Sequence, residues 1–297
     1  MYICTKIKNM SLNDKIKNIV NETINKIVNT QKYHILSEGV SYNRENNTFT
    51  FNFEHDNDTD IIKLENIGYE VEQFERCYYY GYEFSPDVDA KVRKDFIKFI
   101  KFPESFEDRK DLQLFISKAV GYLDSKITLP KYNAIIYPQS MSELNRNMLS
   151  YISRITTTKY IEIELVKELP SKIEFDYERF ELEVLNSYVN DRPRYTQAQK
   201  ENVLKTISEM MESIHNSDYF SIARDTKKNR YRQYISNYYK FKDEKTKQIY
   251  NTLTNSNVLV IDDIVTSGTT IYHLLNTLRS LNDTNNIVIF SLLGKKF

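Results

Sequence analysis

At 297 residues the chain can bury a sizeable core as one large domain or two modest ones, and its 41 basic and 41 acidic residues cancel in formal charge. That balance excludes the global basic field that draws nucleic acid, and no segment reaches the length of a membrane-spanning helix. The two cysteines, Cys4 and Cys77, have neither CxxC nor metal-ligand spacing and the four histidines are scattered, which argues against a disulfide framework and a zinc site and for a reducing, cytoplasmic setting.

In chain order, the N-terminal stretch is interrupted by lysines and asparagines, unlike the apolar core of a signal peptide. Ser11 and Asp14 read as a helix start, and Ile16, Ile19, Val20, Ile24, Ile27 and Val28 recur on one helical face. From Ser41 to Phe84 the pattern is β-rich. NTFTFNFEHD alternates apolar and polar residues, and the tyrosine run Tyr78, Tyr79, Tyr80, Tyr82 reads as a sheet face or, alternatively, as a stacking platform for a base. The carboxylates Asp56, Asp58, Asp60 and Glu65 in HDNDTDIIKLE lack the glycine and final glutamate spacing of a calcium loop, so this stretch reads as a solvated turn. Residues 87–123 carry two helical apolar stripes separated by Pro103.

Near residue 125 the pattern changes. Tyr132 to Tyr137 is a short buried strand, followed by a polar loop and a helix with Leu144, Met148, Leu149, Ile152 and Ile155 on one side. Tyr160 to Pro170 and Asn285 to Leu293 supply further strands, and QAQKENVLKTISEMMESIH reads as a helix inside an insertion of about 171–216. Strands alternating with helices predict an α/β fold with a mostly parallel twisted sheet and helices on both faces, preceded by an N-terminal α+β region. The expected domains are therefore 1–124 and 125–297.

The most informative stretch is NVLVIDDIVTSGTT, Asn257 to Thr270. Val258 to Ile261 suits a strand covered on both faces, Asp262 and Asp263 stand at its carboxyl end, and Ile271, Leu274, Leu275 and Leu278 follow at helical spacing. A loop of small hydroxyl residues around a glycine at a helix N-terminus offers amides, hydroxyls and the positive end of the dipole to one phosphate. Two carboxylates beside it suit hydroxyl donors, so the implied ligand is a sugar 5-phosphate.

These thirteen positions, VLVIDDIVTSGTT, closely resemble the ribose-5-phosphate binding motif of the type I phosphoribosyltransferases. The resemblance covers about residues 125–297 and implies that fold, with 5-phosphoribosyl 1-pyrophosphate and a nucleobase-like acceptor as small-molecule partners and Mg²⁺ as cofactor. Asp262 and Asp263 would hold the ribose hydroxyls, directly or through magnesium waters, with no direct protein ligand to the metal. Thr266, Ser267, Gly268, Thr269 and Thr270 would hold the 5-phosphate. The family's pyrophosphate loop corresponds to Pro138–Asn145, with the amides of Gln139, Ser140, Met141 and Ser142 facing the leaving group; Met141 departs from the small residue usual there. A mobile basic segment is expected before the phosphate motif, and Arg224–Phe241, with Lys228 and Arg230, takes that place in a manner similar to the competence-associated (ComF-like) branch. A homodimer is the oligomeric state the family suggests, and neither membrane nor nucleic acid is an expected partner. Sensing of the pyrophosphoryl sugar or a nucleotide without turnover, as a regulatory or effector protein, remains an open alternative, because the same residues would bind the ligand in either case.

Overall fold

A computed structural model describes residues 33–37, 40–43, 48–51, 62–63, 77–84, 89–103, 106–126, 129–140, 142–156, 159–189, 192–226, 229–265 and 268–294. The N-terminal helix expected around Ile16–Val28 and the turn HDNDTD lie outside these residues. Two compact units emerge, one of Met1–Asn57 with Tyr82–Phe115 and one of Asp58–Gly81 with Ile116–Phe297.

In the first unit, β1 (Tyr33–Ser37), β2 (Val40–Asn43) and β3 (Thr48–Phe51) form an antiparallel meander, with Tyr42 opposite Phe49. Helix α1 (Ala90–Lys101) starts where the Asp89 side chain accepts the Lys91 amide at 2.7 Å, and it buries Phe96 and Ile100. Phe49 meets Phe96 and Phe99 at ring distances of 5.1 and 5.2 Å. After Pro103, α2 (Phe106–Lys126) begins, and Phe115 stacks on Tyr82 at 3.7 Å.

The second unit is built on a seven-stranded sheet. Its strands are β4 (Ile62–Lys63), β5 (Cys77–Glu83), β6 (Ala134–Pro138), β7 (Ile161–Lys167), β8 (Tyr239–Phe241), β9 (Asn257–Ile264) and β10 (Asn286–Gly294). Their spatial order is β8-β7-β6-β9-β10-β5-β4. The pairs β7·β6, β6·β9 and β9·β10 are parallel, whereas β8·β7 and β5·β4 are antiparallel. The expected mostly parallel sheet is thus present, with antiparallel strands toward its edges. Two of its strands come from residues before 125, a pairing that no local pattern announces.

Each parallel crossover is covered by a helix: α3 (Leu144–Ile155) between β6 and β7, and α6 (Thr269–Arg279) between β9 and β10. Because β7 and β10 lie on opposite sides of the β6·β9 pair, right-handed crossovers place these helices on opposite faces. Between them in the chain come α4 (Gln197–His215) and α5 (Glu244–Thr252). Helix α4 opens on a capping box, the Gln199 amide donating to Thr196 Oγ1 at 3.3 Å while the Thr196 amide donates to Gln199 Oε1 at 2.8 Å.

One face of the sheet, with Ala134, Ile136, Ile163, Leu165, Val258, Val260, Ile287 and Ile289, packs with Ile271, Leu274, Leu275 and Leu278 of α6 and Ile207, Met210 and Ile214 of α4. The insertion 171–216 therefore completes a core and is more than a surface ornament. On the other face the second half of α2 buries Ile116, Ala119, Val120 and Leu123. There Gly81 is required, since a Cβ at that position would lie 2.6 Å from the Ala119 Cβ. Tyr78, Tyr79, Tyr80 and Tyr82 are all at most 5% exposed, so the tyrosine run is sheet packing and leaves no ring open for stacking on a base. Among the described residues, no helix is long and apolar enough to cross a membrane.

Candidate functional site

The strand order defines one crevice. From β6 the chain moves to β7, and from β9 it moves the other way to β10, so the connections diverge between β6 and β9. In an open α/β sheet the space outside the carboxyl ends of such a pair is where ligands bind. The two loops that leave these ends, Gln139–Glu143 and Val265–Gly268, are the two that the sequence singles out.

β9 carries both carboxylates there. Val258, Leu259, Val260 and Ile261 are fully buried, as expected of an apolar run rich in β-branched residues in a strand covered on both sides, and they lead directly into Asp262 and Asp263 at the rim. Each aspartate is only 4% exposed. The Asp263 amide donates to Asp262 Oδ1 at 3.0 Å, fixing one carboxylate against the turn. The Ser142 hydroxyl donates to Asp263 Oδ2 at 3.2 Å and the Ser140 hydroxyl lies at 3.5 Å from the same oxygen. Ser140 and Ser142 Oγ are 3.1 Å apart, so three oxygens, two from the loop after β6 and one from the end of β9, form one polar cluster. Burial, then Tyr238, then the two carboxylates push the Tyr239 phenol well above its ordinary range, keeping that ring neutral within the aspartates' field.

Gly268 sits at the N-cap of α6 with φ 71° and ψ −1°, a left-handed conformation that other residues adopt at a cost. Thr269, buried, and Thr270, half-buried, open the helix. Their amides begin an eleven-residue helix and belong to the positive end of its dipole. Thr266 and Ser267 lie outside the described residues.

The β6 loop differs from expectation in detail. The Gln139 amide donates to the Leu165 carbonyl at 2.7 Å, extending the β6·β7 ladder, so it is committed to the sheet and not to a leaving group. The Ser142 amide donates to Ser140 Oγ at 3.2 Å. Asn145 Nδ2 closes the loop onto the Pro138 carbonyl at 3.1 Å. Met141 lies outside the described residues.

The basic segment is more structured than the mobile stretch expected over Arg224–Phe241. Arg224 pairs with Asp225 at 2.6 Å, Asn229–Tyr234 forms a 3₁₀ turn, and Tyr239–Phe241 is a strand of the main sheet. Lys228 and the Arg230 side chain lie outside what is described, although the Arg230 backbone belongs to the turn. Sequence reasoning missed the contacts that hold this turn. His273 Nε2 donates to the Arg232 carbonyl at 3.0 Å, and the Tyr272 hydroxyl donates to the Gln233 carbonyl at 3.2 Å. The only hint was a histidine inside the apolar run IYHLL.

Among the described residues no group of three or more histidine, cysteine, aspartate or glutamate side chains is arranged to hold a metal ion. Among the described residues, Asp262, Asp263, Ser140 and Ser142 offer oxygen donors at the rim, a set suited to a hard cation that retains waters and substrate oxygens.

Fold and site together define an α/β protein with an acidic, hydroxyl-rich crevice at its switch point, flanked by a glycine-capped helix N-terminus. No family model and no curated protein matches the chain. Among solved structures it is similar to a hypoxanthine phosphoribosyltransferase from Staphylococcus aureus, with 12% identity and a TM-score of 0.30. The match covers 62% of this chain and spans 65% of that one.

Proposed function

We propose that the chain binds 5-phosphoribosyl 1-pyrophosphate and transfers its phosphoribosyl group to a nucleobase-like amine. The observation that carries this reading is the meeting of Asp262–Asp263 with the Ser140–Ser142 loop at the carboxyl ends of β6 and β9, beside the Gly268-led helix. In the transfer, the acceptor nitrogen forms a bond to the anomeric carbon as the bond to the pyrophosphate oxygen breaks. Pyrophosphate leaves with the electron pair, and the nitrogen gives up its proton to the medium.

The chain's own residues are asked mainly for position and electrostatics, since the transition state resembles an oxocarbenium ion. Gly268, Thr269 and Thr270, with Thr266 and Ser267, hold the 5-phosphate through amides and hydroxyls. Asp262 and Asp263 accept from the ribose hydroxyls and place negative charge near the carbon that becomes positive. Asp263 is the better oriented of the two toward the β6 loop, because Ser142 fixes its Oδ2. Ser140 and Ser142 lie on the leaving-group side, while the basic stretch around Arg230 offers compensating charge. The two carboxylates would hold hydrated Mg²⁺, which when bound supplies charge neutralisation for pyrophosphate.

The deciding experiment is titration calorimetry of phosphoribosyl pyrophosphate with Mg²⁺ into the wild type and an Asp262→Asn/Asp263→Asn variant, with pyrophosphate release followed across a panel of bases. Mg²⁺-dependent binding lost in the variant, with release for one base, is the expected result. Binding without release for any base marks a sensor of the same sugar. No binding by the wild type sinks the reading.

A further inference from the structure

Helix α6 does more than cap a phosphate. Four and five residues beyond Gly268, Tyr272 and His273 donate to two consecutive carbonyls of the basic segment, Gln233 and Arg232, at 3.2 and 3.0 Å. One turn further, Thr277 Oγ1 donates to the Tyr239 carbonyl at 3.1 Å, where that segment enters the sheet. Tyr272 also accepts from Arg179 Nη1 at 3.1 Å, and Arg179 in turn pairs with Glu183 at 2.6 Å. The basic segment is therefore held at three backbone carbonyls along the helix that begins at Gly268.

His273 is the most constrained member of this set. It is 2% exposed, and the edges of Tyr238 and Tyr272 approach its ring at 5.4 and 5.1 Å. A carbonyl can only accept, so the proton must reside on Nε2. Burial lowers the imidazole to about 4, which keeps it a neutral donor at neutral pH. A buried neutral imidazole that spends its N–H on a backbone carbonyl is unsuited to moving protons, and well suited to holding one chain segment against another.

We infer that His273, assisted by Tyr272, is a positioning residue for the leaving-group side of the site: it sets the register of the Arg232–Gln233 backbone along α6, so that the 3₁₀ turn Asn229–Tyr234 keeps a fixed relation to the Gly268-led start of that helix. This inference rests on the function proposed above. It requires that pyrophosphate binding depend on His273 while binding of the sugar phosphate end does not.

The test is calorimetric titration of the full chain, in Mg²⁺, separately with inorganic pyrophosphate and with ribose 5-phosphate. His273→Phe keeps a planar ring without the donor, and His273→Gln restores an N–H. Pyrophosphate affinity is expected to fall about tenfold in His273→Phe and to recover in His273→Gln to within about threefold of wild type. Ribose 5-phosphate affinity should stay within about twofold in both, since Gly268–Thr270 are unaltered. Tyr272→Phe removes one oxygen, and repeats the test on the neighbouring bond should the ring variant not fold, with a fall of about threefold for pyrophosphate alone. Equal losses for both ligands, or no loss for either, overturn the positioning role. A wild type that binds neither ligand overturns it together with the proposed function, and titrating the wild type first separates the two failures.

Discussion

Ser142 Oγ donates to Asp263 Oδ2 at 3.2 Å, joining the loop after β6 to the carboxyl end of β9, 121 residues apart in the chain. Both groups are buried, so the bond is shielded from water and from competition by it. Ser142→Ala removes the donor and leaves an acidic oxygen with one fewer partner, at a cost of about 1–3 kcal/mol. The expected outcome is a lower unfolding midpoint in urea together with roughly tenfold weaker phosphoribosyl pyrophosphate binding, the latter because Asp263 loses its orientation. A stability change without any change in affinity would place Ser142 outside the site.

Gly268 offers a cleaner separation of backbone from side chain. Its φ of 71° sits in the left-handed region, which costs an L-residue with a Cβ about 1–2 kcal/mol. Gly268→Ala should lose about that much stability and weaken ribose 5-phosphate binding, since the strained turn relaxes and the first amides of α6 swing off the phosphate. Gly268→Asn should recover part of both losses, because asparagine tolerates this conformation better. If the two variants behave alike, backbone strain is not what links Gly268 to the ligand.

How much of this was legible follows from where the signals are local. The run Val258–Ile261, the acidic pair and the helical stripe of α6 are contiguous, so strand, rim and helix could be read directly, as could the helices α3 and α4. The β8 strand escaped because it is three residues long and embedded in tyrosines and lysines of a basic stretch. The place of β4 and β5 in the main sheet escaped for a different reason: pairing across so long a span leaves no period in either segment. The commitment of the Gln139 amide to Leu165 likewise depends on how far the β6·β7 ladder runs, which composition does not encode. Within the site, the types of residue were readable, while the contact between Ser142 and Asp263 is a property of strand order alone.

Gly81 tests that sheet assignment. A Cβ there would meet the Ala119 Cβ at 2.6 Å and the Leu292 carbonyl oxygen at 3.0 Å, a backbone contact that cannot rotate away. Gly81→Ala should therefore destabilise by about 1–3 kcal/mol through overpacking. Ligand affinities should be unchanged, since β5 is separated from the β6·β9 crevice by β10. Chemical denaturation measures the first and calorimetry the second; a neutral Gly81→Ala would mean that α2 does not cross β5 so closely.

His273 makes a prediction in pH. Its imidazole is lowered from 6.5 to about 4 in the fold, by burial, with the hydrogen bond to the Arg232 carbonyl acting in the opposite direction. The unfolded chain binds a proton at this residue below about pH 6.5, whereas the folded chain resists it until about pH 4. Stability from the neutral buried ring is thus complete above pH 6.5 and is lost progressively as pH falls toward 4. At about 1.4 kcal/mol per pH unit the loss over that span is about 3 kcal/mol. His273→Gln cannot titrate, so the difference in unfolding free energy between wild type and variant should shrink or reverse across the window in favour of the variant. The carboxylates held low in the fold, Glu168, Asp225 and Asp243, also weaken the protein in acid, but they are common to both chains and cancel in the difference. A difference that stays flat from pH 7 to pH 4 would show that the ring is already reached by solvent, and with it would go the view of His273 as a fixed donor between α6 and the basic segment.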